Sequence, residues 1–320
     1  MRLLITGGLG FIGSNFIRYV LSKHPDYHIV NLDAMTYAAN PANLKDIEND
    51  PRYTFIKGNI CDRKLVEKVA KEVDAIINFA AESHVDRSIA EPEPFLTTNV
   101  LGTQVLLEAA RRFDHEKFVQ ISTDEVYGSI SRGSFKEEDP PRPSSPYAAS
   151  KAAADMLAHS YIVTYGLPVV ITRSTNNFGL YQHPEKLIPK LIINAISGKP
   201  LPIYGDGKSV RDWLYVVDNC EAIDLILRRG KIGEIYNVGA GNEKMNLEIA
   251  TFILKELGKP KSMIKFVKDR PGHDRRYSLN CEKLKALGWK PECPFEKGLK
   301  ETVKWYKQNV KWWRKIKSAG

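Results

Sequence analysis

Thr6-Gly7-Gly8-Leu9-Gly10-Phe11-Ile12-Gly13 is the stretch on which the fold of this chain turns. It follows a short apolar run, residues 3–6, and opens an amphipathic segment, residues 11–22, so it reads as the turn from a buried strand into a helix. Its glycines satisfy both G-x-G-x-x-G from Gly8 and G-x-x-G-x-x-G from Gly7. Glycine here lets the turn close and lets a pyrophosphate approach the free N–H groups of the helix N-terminus, where the helix dipole favours negative charge. Asp33 ends the next apolar run, 20 residues after Gly13, where a carboxylate accepts hydrogen bonds from an adenosine ribose. Residues 31–39 contain no Arg or Lys to receive a 2′-phosphate, so the dinucleotide expected is NAD and not NADP.

Outward from that turn, near-continuous apolar runs at 3–6, 28–32, 53–56, 75–79, 117–121 and 168–172 read as strands buried on both faces. Helical segments alternate with them at 11–22, 63–71, 95–112 and about 146–165, with a shorter one at 42–48. Such βαβα repetition implies a parallel sheet covered by helices on both faces, a Rossmann-like doubly wound α/β fold. Residues 128–146, rich in Gly, Ser and Pro, mark a loop outside the strand ends. Ser144 and Ser145 are N-cap candidates for the helix behind it, and Pro146 suits the first turn. After residue 173 the alternation decays. The expected division is a dinucleotide-binding unit over 1–173, with 213–240 returning to it through a strand at 234–238, and a smaller C-terminal substrate-binding lobe over 174–212 and 241–320.

The composition excludes several classes. With 43% apolar and 27% charged residues in 320, the chain has the profile of a globular protein able to bury a full core. The four cysteines form no C-x-x-C pair and the seven histidines no H-x-x-x-H, so neither a disulfide framework nor a metal site is expected. No window approaches ~18 uninterrupted apolar residues and no signal-peptide pattern follows the N-terminus, which places the expected compartment in the cytoplasm. The net charge of +9 comes from residues 260–320, with 17 Lys and Arg against 6 Asp and Glu. This excess reads as a solvated Lys-rich face, and the aromatics among it, from Trp305 to Trp313, as a terminal helix packed on the body; neither nucleic acid nor a membrane is expected as a partner.

Tyr147 and Lys151, spaced i, i+4, share one helix face just beyond that loop. An ammonium beside a phenol stabilises phenolate, which turns tyrosine into a base toward a substrate hydroxyl. Ser122 and Thr123 end the fifth strand, where a hydroxyl can orient the same substrate oxygen, and Asp124 and Glu125 follow at once. Adjacent acids in unequal environments can divide into one protonated and one ionised group, an acid–base pair.

Together these features resemble the extended short-chain dehydrogenase/reductase family acting on sugar nucleotides, and Thr123-Asp124-Glu125 resembles its nucleotide-sugar 4,6-dehydratases. The resemblance runs nearly the whole chain, through Ala80 to Ser88, Asn176 to Gly179, Pro184 to Pro189, Pro202 to Gly207, Val210 to Trp213 and Asp269 to Asp274. It implies an NAD site lined by Gly7, Gly10, Phe11, Ile12, Gly13, Asp33, Ile60, Ala80, Ala81, Thr98 and Asn177, together with Tyr147 and Lys151. Asn59 stands where relatives usually carry Asp near the adenine; an amide still accepts a hydrogen bond. Facing the sugar nucleotide it implies Ser83, Thr123, Asn176, Lys186, Leu187, Pro202, Tyr204, Arg211, Asn246, Arg270 and His273, with Arg211 on the diphosphate.

The implied substrate is dTDP-glucose, and the implied reaction an internal oxidation, loss of water and re-reduction through NAD, with Thr123, Asp124, Glu125, Tyr147 and Lys151 catalytic. A homodimer through helices matching 95–112 and 146–165 is also implied. A UDP-sugar 4-epimerase or decarboxylase shares the oxidation without needing Asp124 and Glu125, and a non-catalytic NAD-binding regulator would use neither pair.

Overall fold

The computed structural model describes residues 1–269 and 271–319, with side chains through Ile316. Strands β1 (Arg2–Thr6), β2 (His28–Asp33), β3 (Tyr53–Lys57), β4 (Ala75–Asn78), β5 (Lys117–Thr123) and β6 (Val169–Ser174) alternate with helices. The chain then leaves through β7 (Asn176–Phe178), β8 (Leu201–Tyr204) and β9 (Val210–Tyr215), and β10 (Ile235–Val238) pairs parallel with β6. The resulting seven-stranded sheet has the order β10-β6-β5-β4-β1-β2-β3 and is parallel throughout. Strand order reverses between β1 and β4, which opens a crevice at their carboxyl ends. Leu3, Leu4 and Ile5 lie fully buried in β1, as a strand covered on both faces requires.

Helices α1 (Phe11–Lys23), α2 (Arg63–Ala70), α3 (Val85–Ala90), α4 (Glu93–Phe95), α5 (Thr103–Arg112), α6 (Pro146–Tyr165), α7 (Leu187–Ile196) and α8 (Val216–Arg229) follow in order. Phe16, Ile17 and Val20 of α1 pack with Cys220 and Ile223 of α8 on one face of the sheet; Val66, Leu106 and Ala158 of α2, α5 and α6 pack on the other. A separate core joins α7 to α9 (Asn246–Glu256) and, past α10 (Glu282–Ala286), to α11 (Phe295–Gln308) and α12 (Val310–Ala319), through Ile188, Ile249, Leu299 and Trp313. Two small sheets complete this lobe: β11 (Glu243–Met245) with β9 and β7, and β12 (Ile264–Val267) with β8.

Two helical expectations are corrected. The segment over 95–112 is not one α-helix, because residues Leu96–Gly102 form a π turn between α4 and α5. There the Asn99 side chain is drawn inward to the 82 backbone, Thr103 Oγ1 donates to the Asn99 carbonyl at 2.7 Å, and Gly102 lies so close to Ile60 that a Cβ would meet it at 2.4 Å. The short helix over 42–48 is a single 3₁₀ turn, Pro41–Leu44, started by Pro41 and by Asn40, whose Oδ1 accepts the Ala42 N–H.

The terminal aromatics pack on the body. Trp305 meets Tyr181, Tyr306 and Trp312 edge-on, and Trp312 Nε1 donates to Asn43 Oδ1 at 2.9 Å. Among the described residues, no helix is long and apolar enough to cross a membrane and no group of three metal-ligating side chains gathers.

Candidate active site

At the crevice, the turn after β1 is shaped by close approach. Gly7 has a left-handed backbone (φ 69°), and a Cβ on it would lie 2.7 Å from the Ala80 backbone. A Cβ on Gly13 would lie 2.6 Å from the Gly7 carbonyl oxygen, which accepts the Gly10 N–H at 3.1 Å. Asp33 closes the turn from β2, its Oδ2 accepting the Leu9 N–H at 2.9 Å and its Oδ1 the Met35 N–H at 2.8 Å. No described side chain caps α1, so its first N–H groups are left to the cavity that Gly7, Gly10, Phe11, Ile12 and Gly13 line. Backbone donors at the positive end of a helix, a floor too tight for side chains and a carboxylate on the β2 side together fit the pyrophosphate and ribose of NAD. Asn59, Ile60, Ala80, Ala81, Thr98 and Asn177 line the same cavity. Asn59 is held by accepting the Cys61 N–H at 2.8 Å.

The cavity continues to the end of β5, where Thr123, Asp124 and Glu125 enter it beside Tyr147 and Lys151. Ser145 Oγ accepts the Ala148 N–H at 3.2 Å and Pro146 occupies the first turn, which fixes where α6 begins and thus which face it turns inward. Thr123 Oγ1 donates to Asp124 Oδ1 at 3.2 Å and accepts the Glu125 N–H at 3.3 Å. Lys151 Nζ donates to the Ile121 carbonyl at 2.6 Å. Of the Ser122–Thr123 pair, Ser122 also contributes to the lining but its hydroxyl donates to Asp155 Oδ2 at 3.0 Å, because neighbours along a strand point to opposite faces.

With this geometry in place, the comparisons with known proteins fall into line. The sequence profile described as GDP-mannose 4,6 dehydratase matches residues 4–302. The chain belongs to that family. It is 55% identical to the low-salt glycan biosynthesis protein Agl12 of Haloferax volcanii, over 96% of this chain and 98% of that one. It is 50% identical to the dTDP-glucose 4,6-dehydratase of Haemophilus influenzae, again over 96% and 98%. Among solved structures, DesIV of Streptomyces venezuelae, a dTDP-glucose 4,6-dehydratase with NAD and TYD bound, superimposes with a TM-score of 0.97 at 50% identity, covering 99% of this chain and 100% of DesIV.

Within this family frame, the acids and bases of the cavity are unequal. Asp124 is 2% exposed; burial, and then the charges of Glu125 and Asp212, hold its carboxyl well above the ordinary range against the pull of Arg211. Burial thus favours the protonated form of this carboxyl over the ionised one. Burial draws the Lys151 ammonium down to about 8, opposed by Asp155. Tyr147 corrects the expectation of a phenol lowered by its lysine: burial and the Glu125 charge raise it, outweighing its hydrogen bond with Thr123.

Of the residues expected at the sugar nucleotide, Ser83, Thr123, Asn176 and Lys186 line the cavity, and Lys186 Nζ donates to the Ser83 carbonyl at 2.7 Å. Leu187, Pro202, Tyr204, Arg211, Asn246 and His273 lie in the lobe outside that lining. Arg211 donates to the carbonyls of Val210 (2.8 Å) and Asp274 (2.9 Å), with its guanidinium 4.3 Å from the Tyr277 ring centre. Tyr204 and His273 meet edge-on at 6.2 Å, and His273 Nδ1 lies 2.6 Å from Asp269 Oδ1. Arg270 falls outside the described residues.

Two groups escaped sequence reasoning. Asn99 takes the Glu82 N–H on Oδ1 (2.9 Å) and donates through Nδ2 to the Glu82 carbonyl and Ser150 Oγ, tying the cavity wall to α6; as one polar residue among the threonines and glutamine of its helical stretch it gave no signal. Tyr37, Arg87, His183 and Glu185 converge across the cavity mouth, with Arg87 Cζ 3.8 Å from the Tyr37 ring centre and its Nε 3.5 Å from Glu185 Oε2. Arg87 and Glu185 lie within stretches that carry the family resemblance, but the distance in sequence between them, Tyr37 and His183 hid that the four form one group.

Proposed function

We propose that this protein is an NAD-dependent dTDP-glucose 4,6-dehydratase, converting dTDP-glucose to dTDP-4-keto-6-deoxyglucose and water. The observation that carries the reading is the placement of Asp124 and Glu125 in one cavity with Tyr147 and Lys151, with burial raising the Asp124 carboxyl well above its ordinary range. An epimerase needs only the second pair. The relatives and the NAD-bound DesIV support the same substrate and cofactor.

Gly7, Gly10, Gly13 and Asp33 would hold the dinucleotide, which when bound accepts a hydride from the sugar and returns it. Tyr147, with Thr123 hydrogen-bonded to it and Lys151 one turn on, takes the proton of the carbon-4 hydroxyl. The ketone so formed acidifies carbon 5, whose proton Glu125 removes. Asp124 delivers its own proton to the carbon-6 hydroxyl, and water leaves; the hydride returned by the dinucleotide would go to carbon 6, and Glu125 gives its proton back to carbon 5. Ser83, Asn176 and Lys186 line the cavity for the sugar, and the lobe over 174–212 and 241–320 supplies the nucleotide contacts. The cellular setting of the reading is the cytoplasm.

The same reading includes a homodimer. Leu96 (55% exposed), Leu101 (50%), Met156 (49%) and Val163 (70%) leave an apolar face on the π turn and α6. Incubation with dTDP-, UDP-, GDP- and CDP-glucose followed by mass spectrometry tests the function. Loss of one water, fastest from dTDP-glucose, is expected; an unchanged mass or loss of carbon dioxide overturns it.

A further inference from the structure

Beneath the cavity, α6 carries a third buried polar group on the stripe of Tyr147 and Lys151. Asp155 follows Lys151 by four residues, is 1% exposed, and is absent from the cavity lining. Its contacts come from the neighbouring strands. Oδ2 accepts Ser122 Oγ of β5 at 3.0 Å and Arg173 Nε of β6 at 2.9 Å. Ser122 and Arg173 are register partners, and Lys151 holds the carbonyl of Ile121, the residue before Ser122. Carboxylate and ammonium are therefore anchored one helical turn apart on consecutive residues of one strand.

Asp155 and Arg173 do not make the two-point fork that this pair of side chains favours when its role is to bind tightly. Only Nε reaches the carboxylate; Asp155 Oδ1 and Arg173 Nη1 are both buried with no hydrogen-bond partner among the described residues. A buried carboxylate oxygen left without a donor is costly unless a second cation compensates it. Lys151, one turn back on α6 and anchored on the adjacent residue of β5, is the second cation; it makes no direct ion pair with Asp155, whose charge opposes the lowering that burial imposes on the Lys151 ammonium. Arg173 is itself 1% exposed and lies against the Tyr127 ring at 4.6 Å, so one anion serves two buried cations.

We propose that Asp155 is a positioning residue for the oxidation step, the shared counter-ion that keeps Lys151 protonated beside Tyr147, and that Arg173 limits how much of its charge Lys151 receives. The proposal rests on the dehydratase reading of the site. The charged and titratable groups on the cavity side of Lys151 are Tyr147 on α6 and Asp124 and Glu125 after β5; those beneath it are Asp155 and Arg173. Glu108 and Arg111 of α5 are engaged at the far end of α6 with Tyr161 and Tyr165, Arg112 with Glu67, and Arg87 of α3 with Glu185. Asp86 of α3 accepts from Tyr204.

The two partners of Lys151's charge balance predict opposite effects. Asp155→Asn removes the anion, so Lys151 loses its proton at lower pH. Arg173→Gln removes the competing cation, so Lys151 keeps its proton to higher pH. The oxidation half-reaction is followed in NAD-loaded protein by the absorbance of reduced nicotinamide in a single turnover of dTDP-glucose between pH 6 and 10. Lys151 itself is followed by NMR of 13C-lysine-labelled protein, its resonance assigned by loss in Lys151→Met. Expected are an alkaline limb and a Lys151 titration both moved down by about one pH unit in Asp155→Asn, both moved up in Arg173→Gln, a return toward wild type in Asp155→Glu, and a KM within about twofold throughout. Limbs that stay put, or that move the same way in both variants, overturn the proposal. Should Asp155→Asn not fold, Arg173→Gln decides alone, an upward shift supporting and an unmoved titration overturning. A wild type that forms no reduced cofactor and no product refutes the dehydratase reading instead, and the Lys151 titrations still report on the charge balance.

Discussion

Tyr147 and Glu125 work on different protons of one sugar, and their variants should fail at different points. Tyr147→Phe removes the base for the carbon-4 hydroxyl, so neither reduced nicotinamide nor product should form above about a thousandth of the wild-type rate, on the order of 4 kcal/mol of barrier. Glu125→Gln keeps the size and cannot take the carbon-5 proton, so reduced nicotinamide should accumulate on the protein while water loss falls by 10²-fold or more. Stopped-flow absorbance with rapid-quench analysis of the sugar reads both; equal loss of oxidation in the two variants contradicts the division. Asp124 adds a stability test. Its carboxyl is raised in the folded chain, so from its ordinary value of about 3.9 upward the folded state binds a proton that the unfolded state has released, and stability falls as pH rises through that window. Asp124→Asn has no proton to lose, and should melt higher than wild type at pH 8 but not at pH 4 while losing activity. Equal melting differences at both pH values would show that Asp124 is ionised in the fold.

The element that decides cofactor binding is the β1–α1 turn, and its strictest demand is at Gly13. An added methyl at 2.6 Å from the Gly7 carbonyl pushes the start of α1 off the turn without touching the sheet. Gly13→Ala should raise the NAD dissociation constant at least tenfold in equilibrium dialysis with an unchanged far-ultraviolet spectrum; wild-type affinity would separate this close packing from cofactor binding. This turn was legible in the chain because its requirements are local: four glycines, a strand before and a helix after. The doubly wound sheet was legible for a similar reason, since β1, β4, β5 and β6 are buried on both faces and read as near-continuous apolar runs. Elements whose cause lies elsewhere in space were not legible. The π turn at 96–102 has an ordinary helical pattern and exists because Asn99 is pulled toward residue 82, and the partnership of Asp155 with Arg173 crosses from a helix to a strand 18 residues on. In the lobe, β7 and β11 are three residues each, too short for any period to register.

At the scale of the molecule, the two halves are tied together at the cofactor. Asn15 of α1 donates to the Leu180 carbonyl, Tyr306 of α11 to the Gln182 carbonyl, and Gln182 lines the cavity. Trp312 of α12 holds Asn43, whose Nδ2 donates to the Leu9 carbonyl at 2.9 Å within the glycine turn. Trp312→Ala, losing partly buried ring contacts and a hydrogen bond, should cost on the order of 2 kcal/mol of stability and hasten NAD release several-fold. A calorimetric melt with fluorescence displacement of the cofactor measures both, and release at the wild-type rate would detach the C-terminal helix from the site. For the apolar face on α6, sedimentation at micromolar concentration should give twice the 36.2 kDa chain mass, and Val163→Lys should shift it toward one chain.

The thread from Trp312 through Asn43 to Leu9 joins residues far apart in sequence, and this orders events during translation. The glycine turn is synthesised long before the side chain that braces it. Domains generally fold from the N-terminus as they emerge. The parallel sheet can therefore assemble while its cofactor turn still lacks the distal brace, and full grip on the dinucleotide comes only once Trp312 has been made and packed. A message cut short by a stop codon just before Trp312 would yield a protein with an assembled sheet and an unbraced nucleotide turn, a defect visible to a cofactor assay before it is visible to a protease.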